Sequence, residues 1–257
     1  MNRIDSLLER TEGDILSVYY PAGYPNLDDT MPILTALEAH GVDMVELGIP
    51  FSDPMADGVV IQEAATRSLG NGMSLKKLFA QIESMRESIS IPVILMGYLN
   101  PIMQYGFERF CIDCNRTGID GVIIPDLPFK DYMEDYKEVA ERHDIKVIMF
   151  ITPETSPERI RFIDENASGF IYMVSSAATT GAQKSFAGAQ SEYFARVDAM
   201  SLRQPRIIGF GVSNRETFRA ACNNAKGAIV GSHFVKLLST EPTIEAAITK
   251  LISDIKG

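Results

Sequence analysis

The sequence predicts an α/β protein: a closed barrel of eight parallel strands, each followed by a helix. Eight short apolar runs recur along the chain without strict alternation, as strands do when helices cover them on both faces. Patterns of helical period separate the runs. The length, 257 residues, is that of a ring of eight strand–helix units, typically about 250 residues. An open, doubly wound sheet uses the same units and remains the alternative at the level of pattern.

The first run is Ile15-Leu16-Ser17-Val18-Tyr19, behind a segment expected to form an extra N-terminal helix. Met31, Leu34 and Leu37, with Glu38, follow at helical spacing before the second strand, Met44-Val45-Glu46-Leu47. Ser74 caps a helix that carries Leu75, Leu78, Phe79, Ile82 and Met85 on one face, and Val93-Ile94-Leu95-Met96 is the third strand. Phe107, Phe110, Cys111 and Cys114 share a helix ahead of Val122-Ile123-Ile124. Val147-Ile148-Met149-Phe150-Ile151 is the fifth strand, and Ser156-Pro157 opens a helix with Ile160, Phe162 and Ile163. Phe170-Ile171-Tyr172-Met173-Val174, Ile207-Ile208-Gly209-Phe210 and Ala228-Ile229-Val230 complete the strands. Ser213 is expected to cap the helix after the seventh, and Ile244, Ala247, Ile248 and Leu251 mark the last helix. No linker or low-complexity segment interrupts the series, so residues 1–257 read as one domain. Two connections are long, those after strands two and six, and extra residues in a barrel become loops at its functional face.

Composition narrows the function. A formal net charge of −10 without a basic stripe argues against a nucleic-acid partner. The three cysteines do not suit a disulfide framework, and Cys111-x-x-Cys114 has neither a second pair nor a nearby His to make a metal site. The N-terminus lacks the apolar block of a signal peptide, and no run is long enough to span a bilayer. The expectation is a soluble, cytoplasmic protein.

Residues 46–58, from Glu46-Leu47-Gly48-Ile49-Pro50-Phe51 to Asp57-Gly58, are the most informative stretch. Glu46 ends an apolar strand, where burying an unanswered polar group costs on the order of several kcal/mol. Pro, Gly and Asp then break regular structure and deliver Asp57 one loop later. Two carboxylates on one strand-to-loop excursion suit proton transfer, worth about 10²–10⁴-fold in rate for each transfer. The spacing alone equally fits a buried ion pair beside a turn Asp. Asp53-Pro54 within the loop has its own plain reading as a turn.

The last two strands end in glycine: Gly209-Phe210-Gly211 and Gly231-Ser232. Glycine lets backbone approach a ligand, and a following helix aims free N–H groups at an anion. In barrels these two loops are a frequent phosphate site. Gly181, in the sixth loop, and the Ser232 hydroxyl add possible donors, although the same glycines also serve tight turns. Ser175-Ser176-Ala177-Ala178-Thr179-Thr180-Gly181-Ala182 has the small, polar character of a lid, or of an ordinary surface loop. His40, His143 and His233 lie far apart, and no Lys falls inside an apolar strand to form a Schiff base. Acid–base chemistry by Glu46 and Asp57 on a phosphate-bearing substrate is what remains, with Tyr172 beside them.

These motifs resemble the tryptophan synthase α-subunit family. The resemblance runs nearly end to end. It is carried by Glu46 through Gly58 with Ile61-Gln62, by Ala22-Gly23-Tyr24-Pro25, and by Tyr98-Leu99-Asn100-Pro101-Ile102. Pro125-Asp126-Leu127-Pro128, Thr180-Gly181-Ala182, Gly209 to Ser213 and Gly231-Ser232 extend it. It implies cleavage of indole-3-glycerol phosphate to indole and glyceraldehyde 3-phosphate. Glu46 is then the general acid–base, and Asp57 holds the indole N–H. Tyr172, Tyr19, Leu99, Ile123, Pro125, Ile151 and Phe210 line the pocket, although each suits ordinary barrel packing. Gly181, Gly211, Gly231 and Ser232 hold phosphate. The resemblance also implies a pyridoxal-phosphate β subunit that receives the indole in an α2β2 assembly, with no cofactor or metal in this chain. Asp53 and Pro54 then belong to the interface loop, and Thr180 closes onto Asp57. Pro21 stands where the family commonly has Thr, and Ala178-Thr179 replaces a commoner Gly-Val, which bears on lid closure rather than on chemistry. A phosphosugar isomerase would use the same carboxylates and anchor, but it does not call for the Pro50–Asp57 loop. A barrel kept mainly to activate a partner would be expected to have lost Glu46 or Asp57.

Overall fold

The computed structural model describes residues 2–175 and 188–257. Its strands are β1 (Ile15–Pro21), β2 (Met44–Gly48), β3 (Val93–Met96) and β4 (Gly121–Ile123). They continue as β5 (Lys146–Ile151), β6 (Ile171–Val174), β7 (Arg206–Gly209) and β8 (Gly227–Val230). Each pairs in parallel with its sequence neighbours, and β8 pairs with β1, so the sheet is a closed ring. Closure decides against the open sheet.

The two-residue strand period divides the apolar residues between two cores. Leu16, Val18, Val45, Leu47, Val93 and Leu95 face outward against the helices. Ile15, Met44, Ile94, Ile123, Ile148, Ile207 and Ile229 face inward and fill the barrel. Both faces are therefore buried, which is why the strands read as continuous apolar runs.

One end of the ring is closed. The predicted N-terminal helix, Arg3–Arg10, is capped by Asn2 Oδ1, which accepts from the Ile4 N–H. Its Ile4, Leu7 and Leu8 join the barrel interior from below. Asn2 Nδ2 donates to the Asp120 carbonyl at 2.9 Å, and Lys226 Nζ donates to the carbonyls of Leu8 (3.0 Å) and Thr11 (2.7 Å). Asp120, just before β4, receives Arg86 at 2.6 Å, Arg3 at 3.0 Å and the Val93 N–H at 2.9 Å. Burial lowers the pKa of Arg86, and the adjacent Asp120 works against that shift. With the N-terminal end sealed by polar ties over an apolar plug, the opposite mouth is left for a ligand.

Two boundaries differ from expectation. The helix from Ser74 ends at Gln81, and Met85 lies in a separate 3₁₀ turn, Met85–Glu87. Arg86 donates there to the carbonyls of Gly118 and Ile91, which holds the turn while Met85 stays buried. The helix Arg215–Cys222 is capped by Asn214 rather than Ser213. Asn214 Oδ1 accepts from the Thr217 N–H at 2.9 Å and Thr217 Oγ1 accepts from the Asn214 N–H at 3.2 Å, a reciprocal pair that needs this register.

Cys111 and Cys114 are buried in the helix Phe107–Thr117. Burial pushes the Cys111 thiol up to about 12 and the Cys114 thiol well above its ordinary value, so neither supplies a thiolate. Among the described residues no cluster of His, Cys, Asp and Glu has metal-site geometry, and no helix is long and apolar enough to cross a membrane.

Candidate active site

A cavity opens at the C-terminal ends of the strands. Tyr19, Glu46, Asp57, Tyr172, Phe210, Gly211, Gly231 and Ser232 all line it, so residues from β1, β2 and β6 and from the loops after β2, β7 and β8 meet there.

Glu46 sits in the middle of β2 and its side chain points into the barrel, level with Tyr19 of β1 and Ile94 of β3. It is 0% exposed. Oε1 accepts a hydrogen bond from Ser17 Oγ at 3.1 Å, and Oε2 has no partner among the described residues. Burial raises its pKa to about 8, with the Ser17 bond acting in the opposite direction. A carboxyl group near neutral pH that still holds its proton, beside a cavity, is a general acid in waiting.

Asp57 reaches the same cavity from the loop after β2. Burial raises its pKa, and the hydrogen bond from Tyr98 works against that shift. Tyr98 Oη donates to Asp57 Oδ2 at 2.8 Å and accepts from the Ala56 N–H at 2.9 Å. Its ring lies 5.4 Å from that of Phe51, and Gln62 Nε2 donates to the Asp57 carbonyl at 2.8 Å. The loop is thus held by side chains from the turn after β3, where Tyr98 caps the helix Leu99–Tyr105, and from the helix Val59–Gly70. Burial raises the pKa values of Tyr19 and Tyr172, and the neighbouring Glu46 and Asp57 raise both further, which marks the four groups as one electrostatic cluster.

The tyrosines depend on missing side chains opposite them. A Cβ on Gly48 would collide with the Tyr19 hydroxyl, and one on Gly209 with the Tyr172 hydroxyl. Beyond Gly209 the chain turns through Phe210 (φ 68°) and Gly211 (φ 81°), both in the left-handed region, and the Phe210 carbonyl is held by Ser175 Oγ. A non-glycine residue in that region stores strain of order 1 kcal/mol, and here it sits at the cavity. Gly231 precedes the helix Ser232–Thr240, so the free N–H groups of that helix face the cavity beside Gly211.

Other predicted residues fall elsewhere. Leu99 opens the helix Leu99–Tyr105 and packs against the outer core, off the cavity. Ile123 is fully buried in the barrel interior, where Met96, its register partner on β3, lines the cavity instead. Ile151 lies in the outer core, and Pro125 lines a separate open cleft with Phe129 and Arg159. Pro54 lines a smaller cleft next to Asp57, and Asp53 is exposed and bonded to Ser52 Oγ. Thr180 and Gly181 lie outside the described residues, as does most of the expected lid. Ser17 and the Tyr98–Asp57 bond escaped the sequence reading. A hydroxyl two residues before Tyr19 in an otherwise apolar run was the available sign of Ser17.

Closed parallel strands with a carboxylate pair and glycine-bearing loops at their C-terminal ends define a (β/α)₈ barrel of the kind that carries enzymatic sites at that mouth. The family model described as tryptophan synthase alpha chain matches residues 6–255. The tryptophan synthase alpha chain of Parabacteroides distasonis is 62% identical over 256 residues, covering 100% of both chains. That of Bacteroides thetaiotaomicron is 59% identical over 256 residues, again covering 100% of both. The solved tryptophan synthase subunit alpha of Legionella pneumophila superposes with a TM-score of 0.86 at 33% identity, covering 99% of this chain and 100% of that one. A chain of Mycobacterium tuberculosis tryptophan synthase gives 0.88 at 30% identity, covering 100% and 99%. The chain belongs to the tryptophan synthase alpha chain family, and with that membership comes a role in tryptophan biosynthesis.

Proposed function

We propose that the chain, acting as one domain, is a carbon–carbon lyase that cleaves indole-3-glycerol phosphate into indole and glyceraldehyde 3-phosphate. The observation that carries the reading is Glu46, fully buried at the cavity, its pKa raised by burial to about 8, and with Oε2 unpartnered among the described residues. Glu46 delivers its proton to C3 of the indole ring, and the positive charge spreads to the ring nitrogen. Asp57 accepts the indole N–H and stabilises that charge. Glu46, now a carboxylate, takes the proton from the glycerol hydroxyl next to the ring. The O–H electrons form the aldehyde carbonyl, the carbon–carbon bond breaks, and its electrons restore the aromatic ring. The two products together contain the atoms of the substrate, with no water consumed. The protonated ring is the electron sink, so the step calls for neither a Schiff base nor a metal.

Gly211, Gly231 and Ser232, with Gly181, hold the phosphate by amides and a hydroxyl. Tyr19, Tyr172 and Phe210 wall the indole. Asp53 and Pro54 face a pyridoxal-phosphate β subunit that takes the indole within an α2β2 assembly, and Thr180 closes on Asp57. The relatives' identity as tryptophan synthase alpha chains supports such a partner.

Indole release from indole-3-glycerol phosphate by the purified chain is the test. Glu46→Gln is expected to lower kcat by at least about 10³-fold while binding of a phosphate analogue persists. Full turnover in that variant would remove Glu46 from the chemistry. One co-eluting heteromeric peak with the β subunit is expected on size exclusion.

A further inference from the structure

Ser17 is the one polar side chain on the inward face of β1 below Tyr19, and it is 0% exposed. Inward-facing Ile15, Met44 and Ile94 surround its layer and offer no hydrogen-bond partner. Its hydroxyl donates to Glu46 Oε1 at 3.1 Å, while Oε2 of the same carboxyl has no partner among the described residues and the residue lines the cavity. We propose that Ser17 is a positioning residue that divides the labour of the two Glu46 oxygens, anchoring Oε1 as the acceptor and leaving Oε2 to carry and exchange the proton.

The reasoning is chemical. A neutral carboxyl has one carbonyl oxygen and one hydroxyl oxygen, and a donor fixed at Oε1 makes that oxygen the carbonyl. The proton then resides on Oε2, the atom with no protein acceptor to hold it back. When the proton leaves, Ser17 still donates to Oε1 and stabilises the carboxylate, so the bond favours release. Without it the carboxyl can turn its proton either way over an apolar floor. The other titratable groups near Glu46 are Tyr19 of β1, Asp57 of the loop after β2, and Tyr172 of β6. His233 lines the same cavity, and its ring Nε2 lies 2.9 Å from Asp254 Oδ2. From β3 and β8 the lining residues are Met96 and Ile229. None of these bonds the Glu46 carboxyl; among the described residues Ser17 does.

This inference rests on Glu46 being the acid–base of the proposed reaction, and the experiment separates the two. The Glu46 carboxyl is titrated by ¹³C NMR in the full-length chain, with Glu46→Gln identifying its resonance, and the same samples are assayed for indole release. In Ser17→Ala the titration midpoint is expected to rise above the wild-type value. Its kcat is expected to fall roughly ten- to a hundredfold, as loss of a hydrogen bond to a charged group predicts, with KM unchanged. Ser17→Thr, which keeps the hydroxyl, restores most of both, and Ser17→Ala adds no further loss of kcat on top of Glu46→Gln. A midpoint that does not move in Ser17→Ala overturns the inference whatever the activity. A midpoint that moves while Glu46→Gln turns over at the wild-type rate overturns the lyase reading and the proton-exchange role with it. A raised KM at constant kcat assigns Ser17 to packing alone and also overturns the proposal.

Discussion

Glu46 is held in a state that suits chemistry better than stability. Its carboxyl is buried and titrates at about 8, far above an unfolded glutamate near 4.5. The folded chain therefore binds this proton more tightly than the unfolded chain does. The stabilisation is complete below the unfolded value, is lost as pH rises between the two, and is gone above about 8. Replacing Glu46 by Gln removes that penalty. The variant is expected to be more stable than the parent at pH 8.5, by about 1–3 kcal/mol, and to show little difference at pH 5, as urea unfolding at the two values would reveal. The same titration sets the activity profile. Turnover that begins with protonated Glu46 should decline as pH rises through about 8 in a kcat/KM profile of the parent. Both expectations come from one group, and an inactive variant that is also more stable would be the signature of a site strained for function.

The ends of strands β2 and β7 do their work through absent atoms. Gly209 leaves the space that the Tyr172 hydroxyl occupies, as Gly48 does for Tyr19. Gly209→Ala forces Tyr172 out of its place or bends the end of β7. The expected cost is about 1–3 kcal/mol of stability from overpacking, and about 10²-fold in kcat/KM from a displaced cavity wall. Steady-state kinetics alongside thermal unfolding would separate the two. The loop after β2 works in the opposite manner, through atoms that are present. Tyr98 bonds both Ala56 and Asp57, so a phenol just beyond the third strand decides where a carboxylate of the second loop sits. Spacing along the chain could deliver Asp57 to the mouth of the barrel, but not choose its orientation.

Across the entire barrel, stability and chemistry occupy opposite ends. Asp120 anchors Arg86, Arg3 and the Val93 amide at the sealed face, with a side chain only 2% exposed. Asp120→Ala leaves Arg86 without its counter-charge and a backbone donor unpaired, which should cost about 3–5 kcal/mol. The urea midpoint would fall, yet indole release by the remaining folded protein should keep its KM, because the cavity lies at the other end of the strands. A raised KM in that variant would show that the two ends are mechanically coupled.

Much of this was legible beforehand because it is local. Continuous apolar runs at strand length report burial on both faces, and capping residues at the right offset report helix starts, so the eight units and their order follow from near-neighbour chemistry. The Glu46–Asp57 segment and the paired glycines stood out for a related reason, since a charge within an apolar run and glycines at strand ends are local departures from pattern, although an ion pair and tight turns leave the same marks. Which inward-facing residue reaches the cavity was not legible. Ile123 and Met96 are register partners, and only the packed barrel decides that Met96 forms the wall while Ile123 is submerged. Leu99 likewise lies at a strand end yet packs against helices. The bond from Ser17 to Glu46 joins residues 29 positions apart, through a pairing that no local pattern contains. Sequence determined the units and marked out the carboxylates proposed for the chemistry, because each is a property of a few adjacent residues. Depth, orientation and the partner of every carboxylate oxygen were settled only by closing the ring, because they depend on contacts between strands far apart in the chain.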